Sequence, residues 1–396
     1  MPLAAIIGLL ALSPLAIMDC VFVAEVLFGL VRPRQEPEQA GPTPSIAILV
    51  PAHDEEQTLN AAGDMLRRIA RMGGTRVIVV ADNCTDGTAS TAAMLGCEVV
   101  ERQDPARRGK GYALAAGRDH LARNPPDIVI VLDADCSLGE DAVTLLAARA
   151  AVRDRVVQAA YLFRYDPLAS PKVQISNFAF AVKNLVRQRG ARRLGAAAIL
   201  VGSGMAFPWR LFVALDLATG NVVEDLALGI ELVRRNEPPL FEEAAMVWSD
   251  ASNGAGTETQ RVRWEGGFIA TARQFAWPLI VEGLKRRQWQ HFCLGVHLLV
   301  PPLTIVLMLN IVAFLLFACL AVTGLPIIPV ICSAALLSLI VGAVALAWIV
   351  EGRRHMPARM LPQIPVYLAW KLVMHLRLAT GRRSIAWIRT ERARKG

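Results

Sequence analysis

Long apolar runs and short alternating segments divide the chain into two kinds of sequence. Residues Pro2 to Val31 are almost all apolar, and further apolar runs extend roughly from Phe292 to Val322 and from Pro326 to Val350. A transmembrane helix needs about 20 consecutive apolar residues, so each run is long enough to cross a bilayer. The pattern therefore predicts a retained N-terminal anchor and a C-terminal membrane hairpin that turns near Gly324.

Between Ser45 and Cys136, short β-branched segments alternate with segments of helical period. The segments SIAILV, RVIVVAD, CEVVE and DIVIVLDAD predict strands, and QTLNAAGDMLRRIARM, TASTAAMLG and YALAAGRDHLAR predict helices. This alternation predicts a doubly wound parallel sheet, in which ligands bind beyond the carboxyl ends of the strands. The polar residues that follow three of the strands are His53, Asp54, Glu55, Asp82, Asn83, Asp133 and Asp135.

The last predicted strand runs directly into Asp133 and Asp135. Residues i and i+2 of a strand point to the same face, so the two carboxylates are expected to converge. Hard divalent cations such as Mg²⁺ and Mn²⁺ prefer oxygen ligands and are often shared with substrate phosphates. The pair therefore predicts a site for a metal-bound diphosphate. For an isolated pair, a strand end that starts a turn is the better interpretation.

Composition and charge place the chain at a membrane. It has 396 residues, of which 54% are hydrophobic, and its mean hydropathy of +0.41 exceeds that of ordinary soluble proteins. Basic residues border the apolar runs, whereas the turn near Gly324 has no charge, so the large segments are predicted to be cytoplasmic. The bordering residues are Arg32, Arg34, Lys285, Arg286, Arg287, Arg353 and Arg354.

The basic excess of the chain belongs to its C-terminal tail. Residues Glu351 to Gly396 contain 11 Lys and Arg against 2 acidic residues, while the formal net charge of the whole chain is +8. A basic tail beside membrane spans is expected to bind anionic lipid headgroups, and this placement argues against nucleic-acid binding. Ile364 to Leu378 contains Lys371 and His375, so it predicts an interfacial segment and not a fourth span. The seven cysteines lack metal-site spacing and are expected to be reduced thiols.

Seven short motifs occur in one order between about residues 45 and 270. They are ILVPAHDEE, VVADNCTDGT, RGKGYAL, VLDAD, GSGMAF, VVEDLALG and QRVRW. Their order and spacing resemble the family 2 glycosyltransferases, in particular the membrane-embedded branch of cellulose, hyaluronan and chitin-oligosaccharide synthases and ceramide glucosyltransferases. The resemblance implies a GT-A fold, a nucleoside-diphosphate-sugar donor such as a UDP-sugar, a divalent cation (Mg²⁺ or Mn²⁺) and inversion at the anomeric carbon.

The apolar runs and the resemblance together define five segments. They are an N-terminal transmembrane anchor at 1–31, a linker at 32–44, a GT-A domain ending in interfacial helices at 45–290, a transmembrane hairpin at 291–350, and a basic interfacial tail at 351–396. The predicted location is the inner (plasma) membrane, with several spans and a cytoplasmic catalytic domain.

The resemblance assigns several residues to the donor. Asp82 would contact the uracil or ribose, and Pro51, Ala52 and Glu55 would form the wall of that pocket. Lys110 would face the diphosphate as a compact positive charge. Without the resemblance, Asp82 is a plausible turn residue and Lys110 a solvated basic loop residue.

The carboxylates of VLDAD receive separate roles from the resemblance. Asp133 would face the donor ribose and sugar and share the metal, and Asp135 would be the direct metal ligand.

The segment VVEDLALG predicts the catalytic base. It resembles the TED motif of the family, whose Asp removes a proton from the acceptor hydroxyl, and Asp225 occupies that position beside Glu224. Val223 stands where many synthases have Thr, which weakens the likeness to the processive enzymes. Acidic residues are also favoured at any helix N-terminus by the helix dipole.

The segment QRVRW places Gln260, Arg263 and Trp264 at i, i+3 and i+4, so they share a helix face. The resemblance implies that Arg263 reaches the diphosphate and that Trp264 forms a wall for the acceptor sugar. An interfacial Trp/Arg anchor is the competing interpretation.

The segment GSGMAF contributes Gly202, Ser203 and Gly204. These residues would shape the acceptor pocket through close backbone approach, and a plain tight turn is the alternative.

The sequence thus favours an inverting hexosyltransferase that acts on a membrane-associated glycan or lipid-linked acceptor, in envelope, exopolysaccharide or glycolipid biosynthesis. Polysaccharide-assembly proteins are candidate partners. A processive β-glycan synthase is the alternative, although three spans are few for a polymer channel. A non-catalytic nucleotide-sugar-binding scaffold is disfavoured because Asp135, Asp225 and Arg263 are all present. A transporter subunit is disfavoured because the spans lack polar repeats.

Overall fold

The computed structural model describes residues 3–31, 43–218, 224–251, 254–324 and 326–379. Several residues of the sequence predictions lie outside these ranges, namely Arg32 and Arg34, Val223, and the tail from residue 380 to Gly396. The side chain of Glu224 also lies outside the description, although its backbone begins a helix.

One sheet of eight strands forms the centre of the domain predicted at 45–290, in the spatial order β3-β2-β1-β4-β7-β6-β8-β5. The strands are β1 Ile46–Ala52, β2 Thr75–Asp82, β3 Glu98–Arg102, β4 Ile128–Val131, β5 Cys136–Leu138, β6 Val157–Phe163, β7 Met205–Pro208 and β8 Leu240–Ser249. The first four strands are parallel to one another, as the alternation in sequence predicted. The later strands make the sheet a mixed one, because β7 pairs antiparallel with β4 and with β6, and β5 pairs antiparallel with β8.

Helices cover both faces of this sheet. Those of the domain are α2 Glu56–Ala70, α3 Thr88–Met94, α4 Lys110–Leu121, α5 Glu140–Arg153, α6 Pro171–Ala181, a π-helical segment Val182–Arg187, α7 Gln188–Arg193, α8 Trp209–Ala214 and α9 Glu224–Arg234. Side chains alternate across β1, so Ile48 packs in the core formed with α2, α3 and α5, and Leu49 packs in the core formed with α4, α8 and α9. The domain therefore has three layers, and the strand ends remain available for a site.

The remaining helices include the candidate membrane spans. They are α1 Leu3–Leu30, α10 Gly254–Arg286, α11 Trp289–Leu299, α12 Leu303–Val322, α13 Ile328–Val350 and α14 Ile364–Ala379, and two 3₁₀ turns, Gly352–Arg354 and Ala358–Gln363, precede α14. Within the described residues, α1, α12 and α13 are long and apolar enough to cross a membrane. The run from Phe292 to Val322, expected to be one span, is divided in the structure, because Pro301 and Pro302 separate α11 from α12.

Helix α1 lies directly on the catalytic domain. A Cβ atom added to Gly29 would lie 1.9 Å from the carbonyl oxygen of Val186, and one added to Gly190 would lie 1.8 Å from that of Glu25. The two acidic residues that interrupt the apolar sequence of α1 are both paired. Glu25 accepts a hydrogen bond from Arg187 Nε at 2.7 Å, and Asp19 accepts one from the side-chain amide of Asn310 at 3.0 Å.

Helix α14 packs against the domain and the membrane helices. Lys371 is fully buried, and its Nζ lies 2.5 Å from Glu265 Oε1 of α10. Tyr367 and Met374 are buried on the same helix. The lysine that argued against a fourth span is therefore neutralised by a contact within the protein.

Candidate active site

The turn after β4 brings Asp133 and Asp135 together. The strand ends at Val131, and the backbone N–H of Cys136 donates to the carbonyl oxygen of Asp133 at 2.9 Å. The two aspartates were predicted to share a strand face, and this was wrong, because the chain turns here to begin β5. The turn nevertheless places their carboxylate oxygens and Cys136 Sγ within 4.8 Å of one another.

This cluster fits a hard divalent cation through its two carboxylates. Cys136 is buried, and burial raises the pKa of its thiol well above the ordinary value, so the sulfur remains protonated. Asp133 and Asp135 are half-buried and supply the oxygen donors that Mg²⁺ and Mn²⁺ prefer.

A second acidic cluster lies nearby at the ends of β1 and β2, formed by Asp54, Cys84 and Asp86. Its carboxylates accept backbone hydrogen bonds. Asp54 Oδ1 accepts from Thr85 N at 2.6 Å, and Asp86 Oδ1 accepts from Thr88 N at 3.0 Å. These contacts explain the second cluster as turn structure.

Lys110 reaches the same region from the first turn of α4. Its Nζ contacts Asp133 Oδ1 and donates to the carbonyl oxygen of Gly202 at 2.5 Å. Gly109, which precedes it, has a φ of +133°, a conformation that favours glycine. The lysine therefore lies inside the site and is not a solvated loop residue.

The segment Gly202 to Gly204 precedes β7 and lies between the end of β4 and the first turn of α9. Ser203 Oγ accepts a hydrogen bond from the backbone N–H of Asp133 at 3.1 Å, and the buried Gln158 side chain donates to Ser203 O at 2.9 Å. Gly202 has a φ of +87°, and a Cβ there would lie 3.2 Å from Asp225 Oδ2 and 3.4 Å from Lys110 Nζ. Glycine thus permits the close approach of the base candidate and the lysine.

Asp225 lies in the first turn of α9. Its Oδ1 accepts a hydrogen bond from the backbone N–H of Leu226 at 2.8 Å. Burial raises the pKa of this carboxyl, the positive charges of Lys110 and Lys183 oppose the shift, and the negative charge of Asp133 adds to it. A carboxylate with a raised pKa is suited to accept a proton.

The residues predicted for the nucleotide lie at the same edge of the sheet. Asp82 is only 5% exposed, and its Oδ1 accepts a hydrogen bond from Arg102 Nη1 at 2.6 Å. Pro51 and Ala52 end β1, and the backbone N–H of Glu55 donates to Thr88 Oγ1 at 2.8 Å. Arg102 was not selected from the sequence. Its positive charge compensates the burial of the Asp82 carboxylate.

The QRVRW segment lies in α10 beside an aromatic cluster. Gln260, Arg263 and Trp264 are half-buried, and the Trp264 ring stacks on Phe180 with ring centroids 5.7 Å apart. Arg261, inside the same motif, was not selected from the sequence. It is 6% exposed, and its guanidinium lies 5.1 to 5.4 Å from the ring centroids of Phe163, Phe180 and Trp264.

Comparison with protein families identifies the family of this domain. The sequence profile described as glycosyltransferase like family 2 matches residues 42–267. Glucosyl-3-phosphoglycerate synthase of Mycolicibacterium paratuberculosis is 34% identical over 105 residues, 25% of this chain and 30% of that protein. An uncharacterized glycosyltransferase of Mycobacterium bovis is 36% identical over 94 residues, 24% of this chain and 38% of that protein. The chain thus spans about a third of the length of these relatives.

Comparison with solved structures confirms the fold. A mannosyltransferase from Pyrobaculum calidifontis, solved in complex with GDP-mannose and Mn²⁺, superposes with a TM-score of 0.55 at 16% sequence identity. The match covers 87% of this chain and 98% of that chain. The predicted GT-A fold is thereby confirmed as a GT-A-like fold with a mixed α/β sheet.

Proposed function

Since the chain belongs to the family described as glycosyltransferase like family 2, we propose that it transfers a sugar from a nucleoside-diphosphate sugar to an acceptor at a membrane surface. One observation carries the proposal: Lys110, Asp133, Gly202 and Asp225 converge on one side of the sheet edge. They come from four separate segments of the chain. A charge partner for the diphosphate and a proton acceptor are thus held beside each other.

The proposed reaction is a single displacement. An acceptor hydroxyl oxygen forms a bond to the anomeric carbon, the bond from that carbon to the diphosphate oxygen breaks, and the nucleoside diphosphate leaves. The hydroxyl proton passes to the carboxylate of Asp225, whose pKa is raised by burial. Attack opposite the leaving group inverts the anomeric configuration.

The diphosphate is proposed to lie against Lys110, with Asp133 and Asp135 holding a Mg²⁺ or Mn²⁺ ion beside it. Such an ion would offset the negative charge that develops on the leaving group. Arg263 is proposed as a further diphosphate contact. Pro51, Ala52, Glu55 and Asp82 are proposed to form the nucleotide pocket, with a UDP-sugar as the donor.

The acceptor is proposed to be a glycan or lipid-linked sugar at the cytoplasmic face of the inner membrane. The three candidate spans among the described residues and the packing of α1, α10 and α14 on the domain support a site close to the bilayer. Trp264, Gly202, Ser203 and Gly204 are proposed to form the acceptor side, with Gln260 and Glu224 beside them. Addition of one sugar is favoured over processive synthesis, because three spans from one chain enclose little space.

The test is a donor screen with purified full-length protein that has been reconstituted with lipids extracted from native membranes. UDP- and GDP-sugars labelled in the sugar are each supplied with Mn²⁺, and the products are extracted and sized. We expect label from a UDP-sugar in a lipid-extractable product of one added sugar. A long polymer would favour the processive synthase with its assembly partners, and donor binding without transfer or hydrolysis would favour a scaffold.

A further inference from the structure

A cavity of about 70 Å³ lies between the catalytic domain and the membrane helices. We call it the membrane-side cavity. It is lined by the π-helical segment Val182–Arg187, by residues of α10 from Arg261 to Phe268, by the first turn of α12, and by Tyr367 of α14. Since α12 is a candidate span, its first turn is expected near the bilayer surface. The cavity therefore faces both the catalytic domain and the lipid.

The cavity lining carries more cationic side chains than carboxylates, since Glu265 is its single carboxylate among the described residues. Lys183, Arg187 and Arg261 all line the cavity, and the two arginines are 4% and 6% exposed. Among the residues that the structure describes, Arg187 Nη2 and Arg261 Nε have no hydrogen-bond partner. A buried donor without a partner is unfavourable, because it has lost its hydrogen bonds to water. An anionic ligand would remove this cost.

The carboxylates near the cavity are already neutralised. Glu25 pairs with Arg187 Nε at 2.7 Å and with His297 Nδ1 at 2.6 Å. Glu265 pairs with Lys371 Nζ at 2.5 Å. These pairs leave Arg261 without a carboxylate at hydrogen-bond distance in the described part of the chain.

The pKa values of Lys183 and Arg261 agree with a shortage of negative charge in the cavity. Burial lowers the pKa of Lys183 and also that of Arg261, so in each case the loss of water outweighs the attraction of nearby negative charge. An anion in the cavity would reverse this imbalance.

Two helical elements of the cavity lining add to its preference for an anion. The first turn of α12 is the positive end of a 20-residue helix, and within the described residues Thr304 Oγ1 there is buried without a hydrogen-bond partner. The π-helical segment carries Lys183 and Arg187, and π turns within helices occur frequently at functional sites.

We propose that the membrane-side cavity binds the phosphate of a lipid acceptor, in which the phosphate lies between the apolar tail and the hydroxyl that receives the sugar. This inference rests on the proposed function. The tail would extend along α12, and the hydroxyl would point toward Asp225, whose charge interacts with that of Lys183. Trp264 belongs to the cavity lining and to the aromatic cluster beside the site, so it connects the two.

The test measures lipid binding to the full-length protein by native mass spectrometry in a mild detergent. The probes are dioleoyl phosphatidylglycerol, whose phosphate bears a hydroxylated headgroup, dioleoyl phosphatidylcholine and inorganic phosphate. We expect one tightly bound phosphatidylglycerol, and about tenfold weaker binding in Arg261→Gln because charge-assisted hydrogen bonds are lost. Arg261→Lys should bind with intermediate strength.

The matched control is Arg234→Gln. Arg234 also lies over an aromatic ring, 5.3 Å from the centroid of Phe275, but it is exposed and outside the cavity. Its variant should bind phosphatidylglycerol as the wild type does. Equal binding of phosphatidylcholine, or unchanged binding in Arg261→Gln, overturns the inference. Competition by inorganic phosphate at similar concentrations would mean a free-anion site and also overturns the lipid assignment.

The binding of UDP is measured on the same samples, so that the two proposals fail separately. Loss of lipid selectivity in a protein that still binds UDP with Mn²⁺ rejects only the cavity inference. Selective lipid binding in a protein that binds no nucleotide rejects the proposed transferase function and retains the anion site.

Discussion

As the proposed base, Asp225 would accept a proton and would not hold the nucleotide. Its Oδ2 lies 3.2 Å from the position that a Cβ atom on Gly202 would take, and Lys110 Nζ lies 3.4 Å from the same position. Asp225→Asn is therefore expected to reduce transfer by about 100- to 10,000-fold, the usual contribution of a general base. UDP affinity, measured by calorimetry, should change little. A transfer rate within a few-fold of the wild type would exclude Asp225 as the base.

The raised pKa of Asp225 has a consequence for pH dependence. The base must be ionised to act, so transfer should fall as the pH drops through its pKa. Because burial raises that pKa, the fall should begin at a higher pH than an ordinary aspartate, with a pKa of about 3.9, would give. The pH profile of kcat/KM for the wild type checks this. An acid limb at the ordinary aspartate value would contradict it.

The two acidic clusters can be separated by mutation. Asp135→Ala should abolish transfer and the Mn²⁺-dependent part of UDP binding, because a carboxylate ligand to the cation is lost. The control is Asp86→Ala in the second cluster, where the carboxylate accepts backbone hydrogen bonds and no cation is proposed. UDP titrations with and without Mn²⁺ measure both variants. The reverse result, a metal effect only in Asp86→Ala, would move the cation to the second cluster.

The structure brings together several residues that the sequence selected, partly through a geometry that the sequence did not predict. Asp133 and Asp135 were predicted to converge through strand geometry, whereas a turn brings them together. Arg261 was missed because the membrane-side cavity is built by segments that are distant in sequence. Its position next to Gln260 in QRVRW gives no sign that its side chain is buried. Asp82 was selected, but its partner Arg102 lies at the end of another strand, and that pairing follows only from the register of β2 with β3.

At the scale of elements, the contact between α1 and the domain depends on two glycines. Gly190→Ala would place a methyl group against the backbone of α1 at Glu25, so the helices must separate. The cost should be about 1 to 3 kcal/mol, as for other overpacked contacts, and should appear as a lower Tm in detergent. Gly342→Ala in α13 is the control, since a Cβ there meets nothing within 4 Å. Equal Tm values for the two variants would show that α1 does not depend on this contact.

Elements defined by local pattern were predicted well, and those defined by pairing were not. The strands β1 and β2 follow the β-branched segments closely, because each is buried between helices on both faces. The edge strand β3 follows its segment as well, although its residues are only partly buried. The antiparallel strand β7 carries no comparable local signal, since its position is fixed by backbone pairing with β4. The boundary between α11 and α12 was missed because both sides of Pro301 and Pro302 are apolar.

At the scale of the whole molecule, buried ion pairs join the membrane helices to the catalytic domain. Glu25 of α1 pairs with Arg187, and Glu351 at the end of α13 pairs with Arg189 at 2.7 Å. Both arginines belong to the continuous helical stretch formed by the π-helical segment and α7. The catalytic domain is therefore held against the same ends of α1 and α13, which requires that these two ends lie on one side of the membrane.

This arrangement leads to a prediction of topology. If the ends of α1 and α13 share one side, reporter fusions after Arg34 and at Gly396 should both read as cytoplasmic, and a fusion after Gly324 should read as external. The basic residues that border the spans favour the cytoplasm for the shared side, and the basic tail would otherwise have to cross the membrane. An external reading at Gly396 would mean that α14 crosses the bilayer. Four spans would then line a larger space, and processive synthesis would replace single addition as the favoured function.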